Sequence, residues 1–291
     1  MSSFAQLVTV VVLTHNRPVE LTRTLSHLSA LPEKPRVIVV DNGSTGGTTA
    51  GVVSRFPGVA LRYAGANLGA AGRNLAVNQV ETPYVAFCDD DTWWAPHSLA
   101  TAVALLEQHP YIAVLNANIL VGERGKPDPT CRRMATSPLA SVPGVGPRLI
   151  GFMAGACVMR THCFSKAGGY CPRFFIGGEE SLLAMDILDA GYDIVFAPTL
   201  TVHHWPSERR HALQREDLLL RNAIWTAWLR LPGRMALQHT MRTLRQSRNR
   251  SQYWRVVKGV LKGLPAILAK RRPLQPRTLQ LLKTVWQHET R

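Results

Sequence analysis

Three adjacent carboxylates, Asp89, Asp90 and Asp91, follow the apolar run Tyr84-Val85-Ala86-Phe87-Cys88. Each raises the cost of ionising its neighbours, and a divalent cation removes that cost. Alternation along an extended chain points Asp89 and Asp91 to one side and Asp90 to the other. Hard oxygen ligands of this kind suit Mg²⁺ or Mn²⁺ held jointly by carboxylate and phosphate. The competing reading is a solvated turn that caps the helix starting near Pro96. A position just after a buried strand, in a segment otherwise short of acids, favours the metal site.

A second acidic pair, Glu179-Glu180, opens a helical stretch that ends near Gly191. Two acids at a helix amino terminus have an electrostatic use of their own, about 0.3–1 kcal/mol against the helix dipole. Val202-His203-His204-Trp205 lies further on. A neutral imidazole there could complete a carboxylate metal site, although paired histidines at a strand end more often pack or face solvent.

These groups need a scaffold. Leu7 to Leu13, Arg36 to Val40, Val59 to Tyr63, Tyr84 to Cys88 and Tyr111 to Leu115 are short apolar runs separated by helix-compatible sequence, which predicts an α/β fold with a mostly parallel sheet covered on both faces. Polar residues gather just after the runs, at Thr14-His15-Asn16-Arg17, Asp41-Asn42-Gly43-Ser44, Asn67-Leu68-Gly69 and the Asp triplet. The crevice beyond the strands' carboxyl ends is where open α/β sheets bind ligands. Residues from Gly122 to Pro147 are rich in Gly, Pro and Arg without a clear period and read as a mobile loop region.

The four polar motifs, with Gly72-Arg73-Asn74 after the third, resemble family-2 glycosyltransferases in order and spacing across about the first 95 residues. The resemblance implies a GT-A fold with a Rossmann-like nucleotide-binding sheet, a nucleotide-diphosphate-sugar donor and inversion at the anomeric carbon. It implies that Thr14, Asn16 and Arg17 contact the nucleoside, that Asp41 bonds the base, and that Asn67 and Arg73 lie near base and pyrophosphate. Asp89 would approach the ribose and Asp91 would bind Mn²⁺ or Mg²⁺. Asp90 belongs to the same donor site without an assigned role. Phe152-Met153-Ala154-Gly155-Ala156 resembles the small-residue segment on the acceptor side. Glu180 matches the family's base and His204, 24 positions on, its histidine ligand; Glu179 and His203 are the alternatives one residue away. Ser181 to Asp186 lacks the arginine that commonly follows the acidic pair, and no Gln-x-x-Arg-Trp signature of processive synthases is present, so one sugar is expected per encounter. The implied acceptor is a hydroxyl, with lipid-linked glycans among the candidates.

The formal net charge is +15. Residues 1–206 hold 15 basic and 15 acidic residues, whereas residues 207–291 hold 19 basic and 4 acidic ones. This division predicts a neutral catalytic domain over 1–206, with a nucleotide-sugar half to about 115 and an acceptor half from 116, and a basic helical extension over 207–291. Trp254, Val257, Leu261, Leu264 and Leu268 form one helical stripe. The stripe by itself is expected to pack onto the catalytic domain, while the surplus charge predicts peripheral contact with an anionic membrane surface, with Trp225, Trp228 and Trp254 at the interface. A nucleic-acid-binding protein would explain the tail but not the carboxylates, so no nucleic acid is expected. A sugar-nucleotide binder without turnover is the other alternative. Gly65, Gly69 and Gly72 lack dinucleotide-fingerprint spacing, and Thr-His-Asn-Arg-Pro replaces the glycine-rich loop a sugar-nucleotide pyrophosphorylase would need. Five scattered cysteines without a Cys-x-x-Cys pair and no apolar span of about 18 residues predict a cytoplasmic protein, peripheral at the inner face of the membrane.

Overall fold

The computed structural model describes residues 4–206 and 212–289. The predicted boundary after residue 206 abuts residues 207–211, which lie outside the described residues. The first half of the sheet consists of β1 (Val8–Thr14), β2 (Arg36–Asp41), β3 (Val59–Tyr63) and β4 (Tyr84–Asp89), parallel and in the spatial order β3-β2-β1-β4. Between them run α1 (Pro18–Ser29), α2 (Thr48–Val53) and α3 (Gly72–Val77). Val10, Val11 and Val12 are fully buried, as expected of a strand covered on both faces. Helix α1 carries Pro18 in its first turn, where a missing N–H costs nothing, and buries Leu21, Leu25 and Leu28 at helical spacing.

The second half contributes β5 (Thr92–Trp94), α4 (Ser98–Gln108), β6 (Ile112–Val121), β7 (Lys126–Pro127), α5 (Pro129–Ala135), β8 (Ser141–Val142), β9 (Gly146–Leu149), β10 (Cys157–Arg160), α6 (Thr161–Lys166), α7 (Glu179–Asp189) and β11 (Asp193–His204). The sheet continues from β4 as β10-β6-β11-β9-β8, with β10 antiparallel to both neighbours and β6 parallel to β11. The longer strands thus share one direction, and the short ones supply the antiparallel pairs.

Residues 122–147 do not form the mobile loop that their composition predicts. Asp128 caps α5 by accepting from Thr130 N at 2.7 Å, β8 and β9 pair as a short hairpin, and Cys131, Leu139, Val142 and Val145 are buried. Four buried apolar side chains scattered without a period are invisible to a periodicity argument yet sufficient to anchor the segment.

Four helices follow: α8 (Ala212–Arg230), α9 (Gly233–Leu244), α10 (Arg250–Ala269) and α11 (Pro276–Glu289). Ala227, Leu231, Ala236, Leu274 and Leu282 join the core of the sheet region, while Phe174 and Leu182 share a second core with Ile224, Trp225, Leu229, Val256, Val260 and Ile267. The predicted stripe on α10 does not pack onto the catalytic domain. Trp254, Leu261 and Leu268 are 57%, 60% and 44% exposed, and α10 instead buries Val256, Val260, Gly263 and Ile267. The reason is close approach: a Cβ at Gly263 would come within 2.2 Å of the Trp225 ring, and the Trp225 indole donates to the Val260 carbonyl at 3.1 Å. Trp225 is therefore internal, and Trp228, partly buried, donates to Thr240 Oγ1 at 3.1 Å; of the three predicted interface tryptophans only Trp254 faces outward. Among the described residues no helix is long and apolar enough to cross a membrane.

Candidate active site

Strand register explains why motifs far apart in sequence meet. Thr14 lies beside Asp41 of β2, and Leu13 beside Asp89 of β4, so the loops after β1, β2 and β4 leave from one edge of the sheet. Their side chains then knit together. Asp41 Oδ1 accepts from Ser44 N at 2.7 Å, Asn16 Oδ1 from Thr45 N at 2.8 Å, and Asn16 N donates to Ser44 Oγ at 2.9 Å. Asn42 is buried; its Oδ1 accepts from Leu68 N at 3.0 Å and its Nδ2 donates to Asn67 Oδ1 at 3.1 Å and Gly69 O at 3.0 Å. Sequence reasoning gave Asn42 no role beyond a turn, but it ties the second motif to the third.

Strand β4 ends at Asp89, and Asp90 and Asp91 form the turn into β5, so the predicted alternation of the triplet is not kept. Asp89 is partly exposed and ion-paired with the buried Arg73 of α3. Asp90 is buried, accepting from Thr14 Oγ1 at 2.9 Å and Arg17 Nη1 at 3.1 Å. Its backbone oxygen accepts from Thr24 Oγ1 at 2.8 Å. Burial pushes the Asp90 carboxyl up to about 7 although Arg17 opposes the shift. Asp91 is buried too, with Arg17 Nη1 3.4 Å from Oδ2 and His204 Nε2 3.7 Å from Oδ1. Arg17 therefore reaches both Asp90 and Asp91, on what the extended reading made opposite sides.

The approach of His204 to Asp91 comes from β5, which pairs antiparallel with the end of β11 and aligns Thr92 with His204 and Trp93 with His203. Trp205 N adds a bond to the Asp91 carbonyl at 2.9 Å. Alternation turns the neighbouring imidazole elsewhere: His203 stacks on Trp93 with centroids 5.7 Å apart, and Trp93 on His27 at 4.2 Å. Among the described residues no group of three Asp, Glu, His or Cys side chains converges so as to hold a metal. A carboxylate and an imidazole side by side nevertheless fit a divalent cation whose other positions are filled by phosphate oxygens and water.

Glu179 and Glu180 begin α7, as the sequence predicts. Glu180 Oε1 accepts from Ala154 N at 2.6 Å. Burial pushes the Glu180 carboxyl up to about 7; the Ala154 N–H and Arg73 pull it down, while Glu179 and Asp89 push it further up. Glu179 is buried and also raised by that burial, and its Oε2 has no hydrogen-bond partner among the described residues. The Phe152–Ala156 segment lies against Glu180 through Ala154 N and against Asp89, since a Cβ at Gly155 would stand 2.7 Å from Asp89 Oδ2. Asp186 of α7 pairs with Arg230 of α8, at 2.6 and 3.0 Å. Asn222 of α8, to which no sequence signal pointed, contacts the carbonyls just before α7.

The family described as Glycosyl transferase family 2 matches residues 9–163, more than half of the chain. A Mycobacterium tuberculosis protein named N-acetylglucosaminyl-diphospho-decaprenol L-rhamnosyltransferase is 26% identical over 278 residues, covering 80% of this chain and 89% of the relative. Among solved structures, GalNAc-T7 with UDP, GalNAc and Mn²⁺ superposes with a TM-score of 0.64 at 16% identity over 94% of this chain; that overlap spans only 59% of GalNAc-T7. Residues 1–349 of S. aureus TarS in complex with UDP-GlcNAc give 0.64 at 19% identity, over 91% of this chain and 82% of that one. With the sheet order, the clustered motifs and the family match in agreement, the chain belongs to glycosyltransferase family 2 and has the GT-A fold.

Proposed function

We propose that the protein transfers one sugar, with inversion, from a nucleoside-diphosphate donor to a hydroxyl of a lipid-linked glycan. The observation that carries this reading is Glu180: a carboxyl that burial raises to about 7, beside the Asp89–Arg73 pair and the small-residue acceptor segment. Near neutral pH it can take a proton in the transition state. In the proposed step Glu180 accepts the hydroxyl proton as that oxygen attacks the anomeric carbon, and the bond from that carbon to the donor phosphate breaks. Arg73 offsets negative charge on the departing nucleoside diphosphate. Thr14, Asn16, Arg17, Asp41 and Asn67 shape the nucleoside pocket, with Asp90 anchoring Thr14 and Arg17. Asp91 and His204 would hold Mn²⁺ or Mg²⁺, which when bound neutralises the diphosphate.

The lipid-linked acceptor is supported by the name of the mycobacterial relative, whose acceptor is a diphospho-decaprenol-linked N-acetylglucosamine. The catalytic unit is residues 1–206, with 207–291 as its extension. Peripheral contact with an anionic inner membrane face is supported by the outward stripe on α10 and by Arg250, Lys258 and Lys262 on a helix without acids. Each basic residue near such a surface contributes about 1 kcal/mol.

The test is nucleoside-diphosphate release from a panel of nucleotide sugars, including an activated L-rhamnose, with Mn²⁺ or Mg²⁺ and a lipid-diphosphate N-acetylglucosamine acceptor. No metal-dependent binding or turnover of any donor would overturn the reading. Failure to sediment with anionic vesicles at low salt would overturn the membrane part alone.

A further inference from the structure

The loop that delivers Glu180 is braced from outside the sheet. Phe175 has φ 64° and ψ −69°, and Ile176 N donates to the Phe174 carbonyl at 2.8 Å. Together these define a γ-turn of the rare, strained hand, with phenylalanine at its centre. Such a conformation persists only where the surroundings over-determine it.

Two sets of contacts do so. On one side lies Asn222 of α8, fully buried. Its Nδ2 faces the carbonyls of Phe174, Ile176 and Gly177 at 2.8, 3.1 and 2.6 Å. Its Oδ1 accepts from Arg221 Nε at 3.0 Å and Nη2 at 2.9 Å, so the donor end of the amide is the one turned to the loop. On the other side the Phe175 carbonyl accepts from Ala70 N at 2.8 Å, in the loop that follows Asn67. Gly69 approaches so closely that a Cβ would stand 1.8 Å from that carbonyl oxygen. Helix α7 starts directly after this turn, and Leu182 N closes its first turn on the Gly178 carbonyl at 3.0 Å.

We propose that Asn222 is a positioning residue of the active site: from α8 it holds residues 174–178 in the strained turn that sets the entry of α7 and presses Glu180 towards the donor loop. The role belongs to a side chain 42 positions beyond Glu180, in the basic helical region. An amide is suited to it, since one group offers two N–H bonds to a cluster of acceptors while its oxygen is satisfied elsewhere. A carboxylate would set negative oxygens against three carbonyls.

The inference rests on Glu180 as the base, and the experiment separates the two. Full-length Asn222→Ala, Asn222→Asp and Arg221→Ala are compared with wild type for kcat, donor KM, the pH profile of kcat, and amide hydrogen exchange across 174–180. A displacement of about 1 Å can cost about 100-fold, so Asn222→Ala is expected to lower kcat by about 10-fold or more while leaving donor KM almost unchanged. Exchange at 176–180 should rise, and the acidic limb of the profile should move below about 7 as Glu180 hydrates. Asn222→Asp should be worse than Asn222→Ala. Glycine adopts positive φ freely, so Phe175→Gly in the Asn222→Ala background should recover part of kcat. Wild-type kcat and unchanged exchange in Asn222→Ala would overturn the proposal, as would a double variant no better than the single one. If Asn222→Ala does not fold, Arg221→Ala, which frees the amide without removing it, should still raise exchange at 176–180; unchanged exchange there would overturn the proposal. Near-normal turnover of Glu180→Gln would refute the base assignment alone, and the exchange data would still decide the clamp.

Discussion

The loops after β1 to β4 and the loop before α7 meet at the same edge of the sheet, yet the bonds that shape them come from different distances along the chain. Asn16 reaches Thr45, 29 residues away, and Asn42 reaches Leu68, 26 away; both bonds link loops that leave strands of one parallel set. The turn before α7 depends on Asn222, 48 residues beyond Phe174, and on Ala70, more than 100 residues before Phe175. Their electrostatics differ as well. Asp91 sits between Arg17 and His204, whereas Glu180 bonds a neutral N–H and is pushed up by burial. On the proposed reading, one side of the crevice would take a cation and a diphosphate, and the other would keep a carboxyl basic enough to take a proton.

The largest expected effect breaks the base side alone. Glu180→Gln should lower kcat by about 10²–10⁴-fold with donor binding retained, measured by product formation and donor titration. In wild type, kcat should fall as pH drops below about 7, where Glu180 gains its proton. The stability sign follows from the same shift. The folded-state value is raised above the unfolded one near 4.3, so stability is lost as pH rises from about 4.3 through about 7. Glu180→Gln should then melt higher than wild type at pH 8 by on the order of a few degrees and show no such gain at pH 4.

Next in size, Asp91→Asn breaks the cation side: metal-dependent donor binding should weaken and turnover fall on the order of 100-fold. Chelation of wild type should reproduce the loss, and Mn²⁺ or Mg²⁺ should reverse it. Gly69→Ala tests the seam between the two sides. A Cβ at φ 61° against the Phe175 carbonyl should misplace both loops and lower kcat/KM by about 10–100-fold. The smallest change in the folded protein should come from Trp254→Ser with Leu261→Ser, expected to alter stability by less than about 0.5 kcal/mol while weakening sedimentation with anionic vesicles.

The donor side was legible because its signals are local. Apolar runs ending in Thr14, Asp41 and Asp89 announce parallel strands, and once those strands pair, their polar ends must share an edge. The base side was legible only as residue types. Glu179 or Glu180, and His203 or His204, are one-residue alternatives that sequence spacing could not separate; in the structure the β5–β11 register puts His204 beside Asp91 and His203 against Trp93, and the Ala154 N–H donates to Glu180. The helix of α10 was equally readable, but its buried face was not. It carries an apolar stripe of large residues and another of Val256, Val260, Gly263 and Ile267, and contact with Trp225 selects the smaller one because only there can α8 come close.

By itself, then, the amino-acid order determined the α/β alternation, the donor motifs and the surplus charge after residue 206, all properties of short windows. Tertiary structure decided which histidine meets Asp91, which face of α10 stays outside, and that Asn222 reaches the turn before Glu180. Those outcomes depend on side chains brought together by packing between elements far apart in the chain, where shape and register, more than composition, select the contact.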